Sequence, residues 1–295
     1  DSERAALPAW LWKSWIGTYG EIKTREIIRA QFNEPPLDLS LKDETRLEEW
    51  ATRLDATILP TGSLRLNASG RIENLDGFDE GEWWVQDAAA ALPTRLLGDV
   101  KGRDVLDLCA APGGKTMWLA AHGAKVTALD RSAPRLERLK QNLARLSLNA
   151  DIITGDATTF ATERKWDFIL LDAPCTATGT ARRHPDVLLL KTANDRDRLA
   201  ALQTRLLDHS ADLLAPGGTL VYCTCSLEPQ EGPVQIEDFL TRHPDFVRIK
   251  INPDEIGGLS QAITPAGDLR TLPCHLADEG GLDGFFAARL QKSPE

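Results

Sequence analysis

Long apolar segments are missing from this sequence of 295 residues. No run approaches the roughly 18–20 apolar residues of a membrane-spanning helix, so we predict a protein that is not embedded in a membrane. Cysteine is also scarce: the five cysteines are spread thinly and contain no CxxC pair. This pattern argues against a disulfide framework and against a zinc site. We therefore expect reduced thiols, a cytoplasmic location and no metal.

Methionine and positive charge are also in short supply. The only methionine is Met117 and the chain begins at Asp1, so we expect a fragment whose longer form has a further domain upstream. The 34 basic and 44 acidic residues give a formal net charge of −10. Such a balance disfavours a protein that coats nucleic acid nonspecifically, although one local basic groove remains compatible with it. The 42% hydrophobic and 26% charged fractions are typical of a soluble globular protein.

The most informative stretch, DVLDLCAAPGGKT at 104–116, lacks both common phosphate-binding signatures. It predicts a buried strand, a glycine turn and a helix start, a corner whose backbone N–H groups can face a ligand. A P-loop would need glycine where Cys109 stands, and the GxGxxG fingerprint is missing. A P-loop nucleotidase is therefore disfavoured. S-adenosylmethionine is the common adenosine ligand without phosphate, and an ordinary strand-to-helix connection is the alternative.

Two segments with different patterns predict two domains. Residues 1–80 predict a smaller α+β module, with an alternating strand at 37–41, a helix at 43–54 and a hinge at 77–81. Residues 81–295 alternate strands with helices, which predicts an α/β domain with a mostly parallel sheet covered on both faces. Its predicted strands are 104–109, 125–129, 151–154, 166–171 and 219–223.

Acidic residues follow three of these strands, at positions Asp130, Asp156 and Asp172. Because the carboxyl ends of parallel strands share one edge of a sheet, we expect these carboxylates to surround the glycine corner. Asp130 can accept hydrogen bonds from a ribose diol, and Asp156 can bind an adenine amino group. Each alone could be an ordinary helix cap; the set predicts an adenosyl site.

Two cysteines lie at the same predicted edge, Cys175 in PCTATG and Cys225 in TCSLEP. A thiolate that adds to C6 of a pyrimidine makes C5 nucleophilic, and a second group must later remove the C5 proton. Asp172, if it is protonated or shares a proton, can stabilise negative charge that develops at N3 of the base. These residues predict pyrimidine-C5 methylation, but spacing does not decide which thiol attacks. Methylation of an amino group is disfavoured, because DAPC replaces the Asp/Asn-Pro-Pro-Tyr/Phe platform of those enzymes.

Three motifs, LDLCAAPGGKT, LDAPCTATGTARRHPD and VYCTCSLEPQEG, resemble the RNA cytosine-C5 methyltransferases of the Nol1/Nop2/Sun family. The RRHPD tract at 182–186 and DGFF at 283–286 are most similar to its bacterial 16S ribosomal RNA branch, the Sun or RsmB-type enzymes. The resemblance covers about residues 75–290. It implies a Rossmann-like methyltransferase fold, S-adenosylmethionine as cofactor and RNA, chiefly 16S rRNA, as partner. We further expect a monomer.

The resemblance also assigns roles to residues of this chain. It implies that Cys225 is the nucleophile, that Cys175 assists product release, and that Lys115 lies near the target base or the cofactor carboxylate. The family usually continues TCS with an acidic pair and an asparagine, whereas here Glu231 precedes Gly232 and Pro233. The implied cofactor-binding residues are Cys109, Ala110, Ala111, Pro112, Gly113, Gly114, Lys115, Asp130, Arg135, Asp156, Ala157 and Asp172.

The basic tract Arg182, Arg183 and His184 is the predicted RNA contact, because it follows the Cys175 loop and can grip phosphates beside a flipped cytosine. A solvated basic loop is the alternative. Two other functions stay open. One is methylation of a tRNA cytosine. The other is a catalytically silent RNA-binding factor for ribosome assembly, which the presence of both cysteines disfavours.

Overall fold

The computed structural model describes residues 2–66 and 70–294. Its α-helices are α1 (Ser2–Ala5), α2 (Ala9–Gln31), α3 (Leu47–Arg53), α4 (Ala88–Arg95), α5 (Gly114–Ala121), α6 (Ala133–Arg145), α7 (Val187–Leu190), α8 (Ala193–Leu213) and α9 (Pro233–Arg242). Its strands are β1 (Leu37–Leu41), β2 (Thr57–Ile58), β3 (Leu64–Leu66), β4 (Trp83–Val85), β5 (Asp104–Leu108), β6 (Lys125–Asp130), β7 (Asp151–Thr154), β8 (Trp166–Asp172), β9 (Leu214–Thr224), β10 (Phe246–Arg248), β11 (Leu269–Thr271) and β12 (Phe285–Lys292). Within the described ranges, no helix is both long and apolar enough to cross a membrane.

A small antiparallel sheet follows the N-terminal helices, in the order β2-β3-β1-β4. The alternating pattern at 37–41 does form a strand, but Asp38 and Ser40 are buried along with its leucines. Asp38 is buried because it forms an ion pair with Arg65, whose guanidinium also donates to the carbonyl of Gly281 at 2.7 Å. The small sheet is thereby attached to the C-terminal part of the chain. Its last strand, β4, lies beyond residue 80, and the boundary between the two domains stays a prediction.

The large sheet has the order β10-β12-β9-β8-β5-β6-β7, with β11 paired to β12. Neighbours from β9 to β7 are parallel, and β10, β11 and β12 pair antiparallel. Side chains of β5 alternate between two cores: Val105 packs with α4, α5 and α6, and Leu106 packs with α8 and α9. The predicted α/β architecture, a mostly parallel sheet with helices on both faces, is therefore confirmed.

The chain reverses its direction of growth between β5 and β8. It proceeds outward through β6 and β7 and then returns to place β8 on the other side of β5. Loops at the carboxyl ends of β5 and β8 separate at such a reversal, and open α/β sheets bind their ligands there. The topology therefore predicts a ligand site at the turns that follow β5 and β8.

Candidate active site

Two of the three acidic residues predicted from the strand ends, Asp130 and Asp156, line one cleft, whereas Asp172 is not among its lining residues. The cleft lies at the carboxyl edge of the sheet, between the turn after β5 and α8, and has a volume of about 510 Å³ that includes space open to solvent. Leu202 and Leu206 supply an apolar side. The predicted cofactor-binding residues that line the cleft are Cys109, Asp130, Arg135, Asp156 and Ala157.

The turn after β5 needs its unusual residues for steric reasons. Cys109 has a positive φ of 61°, and Gly113 has a φ of 109° immediately before α5 begins. A side chain at 113 would place its Cβ 2.1 Å from Cδ1 of Leu139 in α6. Only glycine allows both this backbone conformation and this close packing. Glycine at 113 therefore lets the turn after β5 pack closely against α6.

Asp130 is buried at the end of β6 and is oriented by the backbone. Its carboxylate accepts hydrogen bonds from the N–H of Ser132 at 2.8 Å and of Ala111 at 3.1 Å. A carboxylate has about four acceptor positions, so it can still accept two hydroxyl groups. Arg135 donates to the carbonyl of Ala111 and braces the same turn. An acceptor pair beside an apolar wall fits the ribose and base of an adenosyl group.

Asp156 lies at the rim of the cleft and is exposed. One of its oxygens accepts from the N–H and the hydroxyl of Thr158, at 2.8 and 2.7 Å. These two hydrogen bonds, the hydroxyl first, lower the pKa of Asp156 below its usual value. An ionised acceptor at this position can bind an amino group such as that of adenine.

Lys115 and Asp172 form an ion pair beside the cleft, with Nζ donating to Oδ2 at 2.8 Å. Burial disfavours the charge of Lys115, but the Asp172 carboxylate outweighs it and raises the pKa of the ammonium. The thiol of Cys223 donates to the other oxygen of Asp172 at 3.5 Å. Lys115 therefore stays charged at neutral pH, and the two side chains form a fixed dipole at the carboxyl end of β8.

Cys175 and Cys225 meet at this edge, with their sulfur atoms 3.5 Å apart. Cys175 lies in the loop after β8 and Cys225 directly after β9, and these strands are parallel neighbours. Both side chains are partly exposed. The hydrogen bond to Cys225 and burial raise the pKa of the Cys175 thiol well above its usual value. The predicted convergence of the two thiols is confirmed by this geometry.

Two buried acids at the site lay outside the sequence prediction. Asp107 in β5 accepts from the Thr116 hydroxyl at 2.5 Å, and its other oxygen has no hydrogen-bond partner within the described residues. Burial raises the pKa of Asp107 to about 7. Glu231 is buried behind the two cysteines. The sequence could have indicated Asp107, because an acidic residue is unusual inside the apolar strand pattern DVLDL. It could not have indicated Glu231, because the residues that Glu231 contacts are distant in sequence.

The prediction of a phosphate-gripping basic loop is wrong for Arg182. Its side chain is 2% exposed and donates to Asp283 at 2.6 Å and to Asp87 at 2.5 Å. Arg183 pairs with the same two carboxylates at 3.3 and 2.8 Å, so its charge is also neutralised. The two arginines are held inward because they join α4, the Cys175 loop and the start of β12. His184 is exposed, and RNA contact by it stays a prediction.

Solved structures resemble this chain along almost its whole length. A methyltransferase homolog protein from Pyrococcus horikoshii is 26% identical, with a TM-score of 0.80 over 98% of this chain and 96% of that one. NSun6 from Pyrococcus horikoshii has a TM-score of 0.83 over 98% and 99% of the two chains, and at 18% identity it supports the fold alone. The fold and the cleft together define an S-adenosylmethionine-dependent methyltransferase of Rossmann-like fold.

Residues 94–291 match the family described as 16S rRNA methyltransferase RsmB/F, and the chain belongs to that family. Ribosomal RNA small subunit methyltransferase B of Cronobacter sakazakii is 38% identical over 96% of this chain. The protein with the same name from Erwinia tasmaniensis is 41% identical over 91%. The chain spans 67% and 62% of the lengths of these two relatives. The resemblance found in the motifs is thus confirmed.

Proposed function

We propose that this protein methylates C5 of a cytosine in RNA, chiefly 16S rRNA, through a covalent bond between Cys225 and C6 of the base. The observation that carries this proposal is the 3.5 Å approach of the Cys175 and Cys225 sulfurs beside the adenosyl cleft. Transfer to a nitrogen or to a hydroxyl group needs no pair of thiols, whereas C5 of a pyrimidine needs a nucleophile at C6 to activate it. We expect the reaction to occur in the cytoplasm.

S-adenosylmethionine, held by the turn after β5 with Asp130 and Asp156, supplies an electrophilic methyl group when bound. The Cys225 thiolate attacks C6, and the π-electron pair of the C5–C6 bond is delocalised over C5 and N3. C5 can then bond to the methyl group, while the electron pair of the broken sulfur–methyl bond stays with the cofactor. Negative charge that develops at N3 is stabilised by the Lys115–Asp172 pair, in which the ammonium keeps its proton. A preorganised pair of this kind needs little rearrangement during the reaction.

Cys175 acts in the second half of this proposed reaction. Its pKa is raised chiefly by the hydrogen bond to Cys225, so it is a neutral thiol while Cys225 is free. Once Cys225 is bonded to C6 as an uncharged thioether, that cause disappears, and Cys175 ionises more readily by releasing its proton to solvent. It can then take the C5 proton, after which Cys225 leaves C6 as a thiolate. The spacing of 3.5 Å leaves no space for a base between the sulfurs, so we expect one side chain to rotate when cytosine enters.

Replacement of the nucleophile tests this proposal. Cys225→Ala is expected to abolish methylation of a 16S rRNA fragment, measured by bisulfite sequencing, and to retain cofactor binding in calorimetry. Cys274→Ala is the matched control, because Cys274 packs near α2 with the residues around Leu272. Sustained turnover by Cys225→Ala would reject the assignment.

The substrate is tested by bisulfite sequencing of ribosomal and transfer RNA from cells with and without the gene. Loss of one 16S rRNA methylcytosine is the expected result. Loss of a tRNA methylcytosine instead would make the protein a tRNA methyltransferase. An unchanged pattern with defective ribosome assembly would favour a catalytically silent assembly factor.

A further inference from the structure

Glu231 is a buried carboxylate that contacts the loops of both active-site cysteines. It ends a short 3-10 helix at Pro229–Glu231. Its carboxylate accepts from the N–H of Thr176 at 2.9 Å and from the hydroxyl of the same residue. It also accepts from Ser226 Oγ at 2.6 Å and from Gln203 Nε2 at 3.1 Å. All of these donors are neutral, so the carboxylate is satisfied by hydrogen bonds alone.

The hydrogen bonds fix Cys175 on both of its sides. Thr176, the residue after it, donates twice to Glu231. The carbonyl of Pro174, the residue before it, accepts from Gln203 at 2.9 Å, and the same amide nitrogen donates to Glu231. The backbone of Cys175 therefore has little freedom to shift relative to Glu231.

Cys225 is fixed on both sides by the same glutamate. Ser226, the residue after it, donates to the carboxylate. Thr224, the residue before it, donates from Oγ1 to the backbone carbonyl of Glu231 at 3.0 Å. One residue thus binds the flanks of two loops that are 50 residues apart in sequence.

We propose that Glu231 is the positioning residue that sets the distance between the two active-site thiols. The inference rests on the proposed function, in which the thiols act in turn on one cytosine. A shift of either loop would misplace one sulfur relative to the base. Misplacement of a reacting group by roughly 1 Å can reduce a rate about 100-fold. Glu231 therefore affects the reaction rate through the positions of the two sulfur atoms, without contacting the substrate.

A second buried acid on the same loop provides a matched control. Glu228, three residues earlier, accepts from Ser14 Oγ and from Trp15 Nε1, both at 2.7 Å. Its carboxylate therefore anchors α2 and contacts neither cysteine loop directly. Glu228→Gln and Glu231→Gln are chemically identical changes at buried sites, and only the second removes acceptors from Thr176 and Ser226.

The distance between the thiols can be measured without RNA or cofactor. Phenylarsine oxide bonds two adjacent thiols through one trivalent arsenic, with release of one water, and mass spectrometry locates the bridge. The wild-type protein is expected to form a Cys175–Cys225 bridge, and Cys175→Ala to form none. Glu231→Gln is expected to weaken bridging about tenfold, since the pair is then no longer preorganised. Glu228→Gln is expected to match the wild type.

Kinetics give the second readout. Glu231→Gln is expected to lower kcat about 100-fold at unchanged KM for RNA and cofactor, as misplacement of reacting groups does. Should Glu231→Gln fail to fold, Ser226→Ala replaces it: this variant removes the arm from Glu231 to Cys225, together with the hydrogen bonds of Ser226 Oγ to Thr176 Oγ1 and the Glu228 N–H, and keeps the two hydrogen bonds from Thr176 to Glu231. It is expected to weaken bridging to a smaller extent. The proposal would be overturned if Glu231→Gln formed the arsenic bridge and turned over as the wild type does. If Glu231→Gln does not fold, the same result in Ser226→Ala would overturn it. Bridging that depends on Glu231 in a protein that methylates no RNA would instead refute the proposed function alone.

Discussion

Removal of the Arg182 side chain is expected to destabilise the fold. Its guanidinium donates to Asp283, Asp87 and the carbonyl of Gly280, at 2.5–2.8 Å. The two carboxylates are only 4–5% exposed, so Arg182→Ala would leave buried negative charges facing each other. Loss of one partner of a buried ion pair costs about 3–5 kcal/mol.

The lower end of that range applies, because Arg183 still contacts both carboxylates. We expect a loss of about 3 kcal/mol in the free energy of unfolding. At roughly 2–4 °C per kcal/mol, this lowers Tm by about 6–12 °C. Arg182→Lys, which retains the charge but has fewer donors, is expected to fall between Arg182→Ala and the wild type.

Thermal and urea unfolding measure this effect, and His184→Ala is the control. His184 is exposed two residues away, so its removal should change stability by less than about 0.5 kcal/mol. The reasoning is refuted if Arg182→Ala unfolds like the wild type. A variant of unchanged stability that binds RNA more weakly, with a smaller salt dependence, would restore the phosphate contact predicted from the sequence.

Three further changes test the corner and its acids. Gly113→Ala should destabilise the protein by about 2–5 kcal/mol, from the left-handed backbone and the clash with Leu139, and urea unfolding measures this. Burial raises the pKa of Asp107 from 3.8 to about 7. The folded protein therefore favours the neutral carboxyl group: its contribution to the free energy of unfolding is fully present below about pH 4 and is lost as the pH rises through 7. Asp107→Asn should remove a slope of up to about 1.4 kcal/mol per pH unit between these values, and equal slopes in variant and wild type would contradict this. Asp130→Ala should weaken cofactor binding by about 1–3 kcal/mol in calorimetry, and an unchanged affinity would remove Asp130 from the site.

The sheet and the cleft were predictable because their signals are local. The glycine turn beside Cys109 and the acidic residues Asp130 and Asp172 each indicate the end of a strand that lies within a few residues. The parallel pairing of β8 with β9 then brings two distant cysteines together without any further signal. Local pattern and sheet topology were thus sufficient for the convergence of the thiols.

Interactions between distant residues were not predictable. Arg182 belongs to a tract that looks solvated, but its partners lie 95 and 101 residues away and draw it into the interior. From the sequence, Glu231 belongs to a segment that differs from the usual family pattern at the start of a helix. Its hydrogen-bond partner Thr176 is 55 residues away in sequence. Whether a charged side chain is buried depends on which oppositely charged or hydrogen-bonding partner the fold places next to it, and a single sequence does not show which residues pair.

The strands at the C-terminus were missed for a related reason. β12 is buried along most of its length because it pairs with β9 on one side and with β10 and β11 on the other. Its sequence FFAARLQK therefore shows no clean alternation of apolar and polar residues. The strand predicted at 219–223 begins five residues earlier in the structure, at Leu214, because a proline and two glycines in the early part of β9 are more typical of a break than of a strand.

The central claim, that Cys225 attacks the base and Cys175 releases it, is tested most directly by trapping the intermediate. Cys175→Ala is incubated with a 16S rRNA fragment and S-adenosylmethionine, and the mixture is separated on a denaturing gel. The account predicts a shifted band of RNA bound covalently to protein, with the bond mapped to Cys225 by mass spectrometry and absent from the Cys175→Ala/Cys225→Ala variant. A Cys175→Ala protein that turns over normally without a shifted band, or an adduct at another residue, would contradict it.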